Sequence, residues 1–170
     1  MNLRLLLLSQ CNRECPGCCN KDWDLGGLPI ADSYKEYDEI FITGGEPMLK
    51  PDLIRRAVEE IREENPTAPI YLYTAKPDPE LVTLLQTHLD GVTLTLHEPE
   101  DLGPTFIQFY YSVQALGFTE TKSLRLNIFS NVHYNYRDFP LDGWGVKDGI
   151  EWIKDCPLPV NEEFKQYRSR

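Results

Sequence analysis

Short apolar runs alternate with amphipathic segments along most of this chain of 170 residues. Each run is apolar at consecutive positions, which is typical of strands buried on both faces of a parallel sheet. We predict five strands and a short sixth from these runs, at residues 3–8, 39–43, 70–74, 92–96, 124–129 and 149–153.

Helical signals stand between the strands. In residues 52–65, Asp52 is placed to cap a helix, apolar residues recur at helical spacing, and an Asn-Pro pair ends the pattern. Prolines near the first turn mark two more helices, at residues 78–89 and 104–117. Because strands alternate with helices, the chain is predicted to be an α/β protein with one mostly parallel sheet, and its length suits a single domain.

Chemically distinctive residues follow four of the predicted strands. A cysteine-rich loop, residues 11–18, comes after the first strand, and Gly44-Gly45-Glu46-Pro47 comes after the second. Thr74 ends the third strand and His97 follows the fourth. Ligands of open parallel sheets bind at the carboxyl ends of the strands. We therefore expect these residues to share one rim, with Glu46 in a position that suits a ligand better than packing.

The cysteine spacing indicates a soft metal site. Cys11, Cys15 and Cys18 are separated by three and then two residues, so that one loop can bring three thiolates to one centre. A four-iron cluster normally takes four ligands, and three cysteines leave one iron open to a substrate. Structural zinc is the alternative, but Cys19 is too closely tied to its neighbour to be the fourth ligand and Cys156 is far away in sequence.

The composition and charge argue against several classes of function. A net charge of -10 argues against non-specific binding to a nucleic-acid backbone. The apolar run at the start is too short for a secretory signal, and no stretch is long enough to span a membrane. Four of the five cysteines lie between residues 11 and 19, which favours metal binding in a reducing cytoplasm over a disulfide framework.

The two loops together resemble the radical S-adenosylmethionine superfamily. The resemblance implies a partial (β/α) barrel of five or six mostly parallel strands and a [4Fe-4S] cluster held by Cys11, Cys15 and Cys18. It also implies that S-adenosylmethionine chelates the open iron, with its amino group at residues 44–47, and is cleaved to a 5′-deoxyadenosyl radical that abstracts hydrogen from a substrate. An electron donor such as a flavodoxin would reduce the cluster.

Two further rim residues join the expected cofactor site. Thr74 ends its strand beside the glycine loop, and His97 is placed to contact the cofactor or transfer a proton. A partly buried, hydrogen-bonded structural histidine is the other interpretation of His97.

Residues 14–21 are similar to the cysteine loop of the anaerobic ribonucleotide reductase activases, small enzymes that install a glycyl radical on a partner protein. Two departures stand against this subfamily. Cys19 occupies a position where the activases usually have an aromatic residue, and their Gly-Pro-Gly-containing segment before the loop is absent. Gly17 also replaces an aromatic residue found in many superfamily members, so adenine must stack elsewhere.

The last third favours a small substrate instead. Residues 130–170 are expected to close the barrel mouth in a single domain of residues 1–170. Aromatic and basic side chains from residue 124 onward suit a flat or polar small molecule, and the candidate substrate-binding residues are Arg125, Asn127, Tyr136 and Arg137. Enzymes that rearrange or modify nucleotides, including those serving hypermodified phage DNA bases in the host cytoplasm, are similar to this description. A non-catalytic zinc or iron-sulfur module is the second alternative.

Overall fold

The computed structural model describes residues 1–153 and 156–169. Within these ranges, seven strands form one open sheet in the spatial order β6-β5-β4-β3-β2-β1-β7, and all neighbouring strands are parallel. The strands are β1 (Asn2–Leu6), β2 (Ile40–Thr43), β3 (Ile70–Thr74), β4 (Gly91–Leu96), β5 (Ser123–Phe129), β6 (Trp144–Ile150) and β7 (Glu162–Gln166).

Helices connect the inner strands. The α-helices are α1 (Pro51–Glu64), α2 (Pro79–Thr87), α3 (Pro104–Ala115) and α4 (Phe118–Thr121). Short 3-10 helices lie at Cys19–Lys21, Leu25–Gly27, Pro47–Leu49 and Pro99–Leu102. The first three α-helices each begin at a proline, whose fixed φ suits the first helical position. Asp52 therefore lies in the first turn of α1, and Lys50 takes the capping position that we predicted for Asp52.

The hydrophobic core lies between the helices and one face of the sheet. Alternate strand residues such as Leu5, Ile42 and Leu94 are fully buried there, together with Ile54 and Ile61 of α1. Their strand neighbours point to the opposite face, because successive side chains alternate along a strand. In the described residues, no helix is long and apolar enough to cross a membrane.

The prediction of an α/β fold with a parallel sheet is confirmed, and the predicted number of strands is wrong. The expected sixth strand at 149–153 lies earlier, at Trp144–Ile150, and Glu162–Gln166 adds a seventh that we did not predict. Both are edge strands with largely exposed or half-buried side chains. They lack the apolar runs of the inner strands, because an edge strand needs no two-sided hydrophobic surface. The open sheet is compatible with a partial barrel.

Candidate metal centre

A cavity of about 250 Å³ lies beyond the carboxyl ends of β1 to β4. It brings together most of the residues that the sequence singled out around the expected rim, namely Cys11, Cys15, Cys18, Gly44, Gly45, Glu46, Thr74 and His97. Pro47 lies next to this set at the start of a 3-10 helix and is buried. The strand order explains the convergence, since β1 to β4 are neighbours in the sheet.

The three free thiols belong to the loop after β1. Cys11 is exposed, whereas Cys15 and Cys18 are half-buried, and the Cys18 amide donates to the Cys15 carbonyl at 3.2 Å. Burial raises the pKa of the Cys15 thiol, the neighbouring Cys18 and Cys11 thiols raise it further, and Arg13 opposes the shift. Several thiolates crowded in one cavity repel each other, and a bound cation relieves that repulsion.

This donor set fits an iron-sulfur cluster. Iron-sulfur clusters take cysteine thiolates, one at each ligated iron, so that three thiols leave one iron of a four-iron cluster without a cysteine ligand. Among residues 1–153 and 156–169, no three His, Cys, Asp or Glu side chains are arranged around the position of a single metal ion. The fit therefore rests on three thiols that line one cavity from one loop.

An ion pair anchors the cysteine loop to the end of β4. Arg13 Nη2 donates to Asp101 Oδ1 at 2.6 Å, and Nη1 donates to Oδ2 at 2.9 Å. The same carboxylate accepts the amides of His97 at 2.8 Å and Glu98 at 3.0 Å. Burial alone would raise the pKa of Asp101, but these hydrogen bonds hold it below its ordinary value. The guanidinium also reaches the Ala75 carbonyl after β3, at 3.5 Å.

Gly44 and Gly45 allow the loops after β1 and β2 to approach each other closely. A Cβ atom on Gly44 would lie 2.5 Å from the Leu8 carbonyl oxygen, and one on Gly45 would overlap the Gln10 carbonyl. The amides of Gly45 and Glu46 donate to those same two carbonyls, at 2.9 and 2.8 Å. Only glycine leaves room for this backbone contact, which fixes the start of the cysteine loop against β2.

Glu46 is buried, with 3% of its surface exposed. Its carboxylate accepts the Met48 amide at 2.9 Å, the Thr74 hydroxyl at 2.5 Å and the Ala75 amide at 2.9 Å. The side chain therefore ties the end of β2 to the end of β3, which is a structural role. A contact between this carboxylate and a cofactor stays a prediction.

Trp152 covers one side of the cavity. Its ring stacks on His97, with centroids 5.5 Å apart and planes 9° apart, and packs against Phe129 at 4.3 Å. A Cβ atom on Gly17 would lie 2.6 Å from the Trp152 Cβ, so that glycine allows the contact with the cysteine loop. Burial, and then the charge of Arg13, lowers the pKa of His97. In the described chain, His97 Nδ1 is buried without a hydrogen-bond partner.

Cys19 and Cys156 form a disulfide, with Cα atoms 5.5 Å apart across 137 residues of sequence. Our expectation that the clustered cysteines bind metal and form no disulfide is therefore wrong for Cys19. The sequence did not indicate this disulfide, because Cys19 stands among the clustered cysteines and only the fold brings the distant Cys156 next to it. Trp23 Nε1 donates to the Cys156 carbonyl at 3.1 Å and supports the same connection.

The predicted substrate residues lie outside the cavity lining. Arg125 and Asn127 are on β5, on the face opposite the helices, while Leu124 and its alternate neighbours are buried in the core. Tyr136 donates to Asp148, and burial together with that carboxylate raises the pKa of Tyr136 to about 12. Arg137 is exposed in the turn region after β5. Their roles in substrate binding stay predictions.

Arg13 and Asp101, which form the ion pair of the site, were both missed by sequence reasoning. Arg13 stands between the first two cysteines, and Asp101 lies 88 residues further along the chain. The position of an arginine inside a metal loop was the available signal. No comparable signal marked Asp101, because an acidic residue after a strand is common and its pairing with Arg13 depends on the fold.

The parallel sheet and the three-thiol loop at its carboxyl edge define an α/β protein with a cysteine-based metal centre. A family model described as "4Fe-4S single cluster domain" matches residues 3–95, more than half of the chain. The chain belongs to this family and contains an iron-sulfur cluster-binding domain. The matched range runs from within β1 to within β4 and includes the three cysteines and the glycine pair. No curated protein matches the chain.

Proposed function

We propose that this protein is a radical S-adenosylmethionine enzyme. Cys11, Cys15 and Cys18 would hold the [4Fe-4S] cluster of the family. The observation that carries the proposal is that the other two cysteines, Cys19 and Cys156, are bonded to each other. Among the residues that the structure describes, three thiols are therefore free, which leaves one iron of a four-iron cluster without a cysteine ligand.

When bound, the cluster would supply the electron for reductive cleavage of S-adenosylmethionine to methionine and a 5′-deoxyadenosyl radical, and this radical would take hydrogen from the substrate. The protein's own residues position the reactants. The glycine pair brings the two loops into backbone contact, and Glu46 fixes the edge of β2 against β3. Arg13 holds the cysteine loop against the segment that follows β4, and Trp152 lines one side of the cavity.

The substrate is proposed to be a small molecule or nucleotide, which is modified or rearranged in the cytoplasm with electrons from a donor such as a flavodoxin. The cavity supports this choice because its volume is only about 250 Å³, and Trp152 and Cys19 of the disulfide are among the residues that line it. An activase would have to admit a segment of a partner protein. The similarity of residues 14–21 to the activase loop is the observation that favours that second function.

The test is anaerobic reconstitution of the full chain with iron and sulfide, followed by reduction and measurement of 5′-deoxyadenosine. We expect about four irons per chain, a change in the electron paramagnetic resonance spectrum on addition of S-adenosylmethionine, and slow cleavage of the cofactor. Cys15→Ser should lose the cluster. The Cys19→Ser/Cys156→Ser variant is the matched control, because it removes two cysteines and keeps the three-thiol loop.

The alternatives predict different results. A zinc module would contain stoichiometric zinc as purified and would give no spectral response to S-adenosylmethionine. An activase would cleave the cofactor and transfer a radical to an added glycyl-radical protein. A fully loaded cluster that never cleaves S-adenosylmethionine would refute the radical function.

A further inference from the structure

The sheet has one face that the helices do not cover. In β5, Leu124, Leu126 and Ile128 are buried against the helices, so Arg125 and Asn127 point to the opposite face. In β6, Trp144 packs on α3 through Phe109, which places its neighbour Gly145 and then Lys147 on that same open face. The open face therefore carries basic and amide side chains at one end.

The strand register joins these residues to the cavity. Tyr73 of β3 pairs with Thr93, and Thr93 pairs with Arg125, so the three lie in one row across the sheet. In the next row, Thr95 pairs with Asn127, and Asn127 pairs with Lys147. Tyr73 and Thr95 also line the cavity. Since strands are about 4.8 Å apart, Arg125 lies about 10 Å along its row from Tyr73, within the length of a small ring-bearing molecule.

Charge distinguishes this end of the face from the rest of an acidic chain. Arg4, on the same face, is already paired with Glu162 at 2.5 Å. In the described ranges, neither Arg125 nor Lys147 has an ion-pair partner, and both are exposed. The Arg125 guanidinium also has free space beside it, because its partner residue on β6 is Gly145, which has no side chain. Two unpaired cations beside an amide suit an oxyanion.

Aromatic rings occupy the middle of the open face. Phe41 of β2 stacks on Tyr71, with centroids 5.5 Å apart, and meets Tyr73 edge-on at 5.9 Å. Such rings offer a flat apolar surface for a planar molecule. The face thus has a ring surface next to the cavity and an anion-binding end two strands away.

We infer that Arg125, Lys147 and Asn127 bind the phosphate or carboxylate of a planar, anionic small-molecule substrate. The ring of this substrate lies beside Tyr73, because the Arg4 guanidinium, 5.7 Å from the Tyr73 ring centroid, already lies over the Tyr73 ring. This inference rests on the proposed function for the identity of the ligand as a substrate. The binding site itself needs no cluster.

The test is isothermal titration of the full chain with matched charged and neutral probes. Guanosine monophosphate and guanosine test a phosphate, and benzoate and benzamide test a carboxylate. We expect at least one anion to bind about tenfold or more tightly than its neutral counterpart, and Arg125→Gln to remove most of that difference. Lys147→Gln should act in the same direction. Arg56→Gln, an exposed change on α1, is the matched control.

The outcomes separate the possibilities. The pair of probes that shows the difference identifies the anion as phosphate or carboxylate. Equal binding of charged and neutral probes, or an equal loss in Arg56→Gln, would overturn the inference, as would no binding of any small anion, the result expected if the partner is a protein. Binding is measured without cluster or S-adenosylmethionine. The titration therefore still tests the anion site if the proposed radical function proves wrong.

Discussion

Asp101→Asn tests whether the ion pair with Arg13 holds the cysteine loop in place. The side chains of Arg13 and Asp101 are 26% and 11% exposed, and the carboxylate accepts four hydrogen bonds. Removing one partner of a fully buried pair destabilises a protein by about 3–5 kcal/mol, and an exposed pair contributes about 0–1 kcal/mol. For this partly exposed pair, we expect the free energy of unfolding to fall by about 2–3 kcal/mol.

The assay is urea unfolding of the full chain, followed by circular dichroism, with Asp52→Asn as the control. Asp52 also pairs with an arginine, but its side chain is 94% exposed, so that variant should lose less than about 0.5 kcal/mol. Iron content after reconstitution gives a second measurement, since a loosened loop should bind the cluster less completely. Equal stability of the two variants would refute the anchoring role.

The pH dependence of stability tests the charge of the same Arg13–Asp101 pair. The folded-state pKa of Asp101 is lowered, so its contribution to stability is present at neutral pH and is lost as the pH falls through that lowered pKa. The stability difference between the wild type and Asp101→Asn should therefore shrink in acid. A difference that is constant between neutral and strongly acidic pH would contradict a charged hydrogen-bonded pair.

Three other predictions follow from the site. Gly45→Ala should lose about 1–3 kcal/mol of stability and most of the bound iron, because its Cβ would overlap backbone, whereas Gly26→Ala meets only a side chain at 3.7 Å and should be tolerated. Thiol titration of the unfolded chain should give three free cysteines before reduction and five after it, and reduction of Cys19–Cys156 should lower stability by up to about 5 kcal/mol because the closed loop is long. The pKa of His97 is lower in the folded than in the unfolded protein, so the unfolded chain takes up the His97 proton at a higher pH. The free energy of unfolding should therefore decline as the pH falls below about 6.5, and His97→Gln should remove that part of the decline.

The inner part of the fold was accessible from the sequence because its strands contain runs of apolar residues, at least every second one of which is buried. Residues 70–74 were predicted with the bounds that the structure shows, and α3 begins at the predicted proline. The edge strands were not accessible in this way. Trp144–Ile150 contains one buried residue, and Glu162–Gln166 also contains one, so neither has a hydrophobic pattern to detect.

Some residues of the candidate site could likewise be predicted from the sequence and others could not. Residues next to strand ends could be placed on one rim, because parallel strands present their carboxyl ends together. Contacts between distant segments could not be placed. The Arg13–Asp101 pair spans 88 residues and the disulfide spans 137, and only the strand order decides which segments meet. The role of Glu46 was also hidden, because the sequence does not show that Thr74 and the following amide use its carboxylate.

The family match and the rest of the chain contribute different parts of the site. Residues 3–95, the range that the family model matches, contain the three thiols and the glycine contact. The later residues add the Trp152 cover, the disulfide partner and the basic end of the open sheet face. Changes within the matched region should therefore affect cluster binding whatever the ligand, whereas changes at Arg125 or Lys147 should affect ligand choice and leave the cluster intact. Iron content and ligand affinity measured on the same variants separate these two effects.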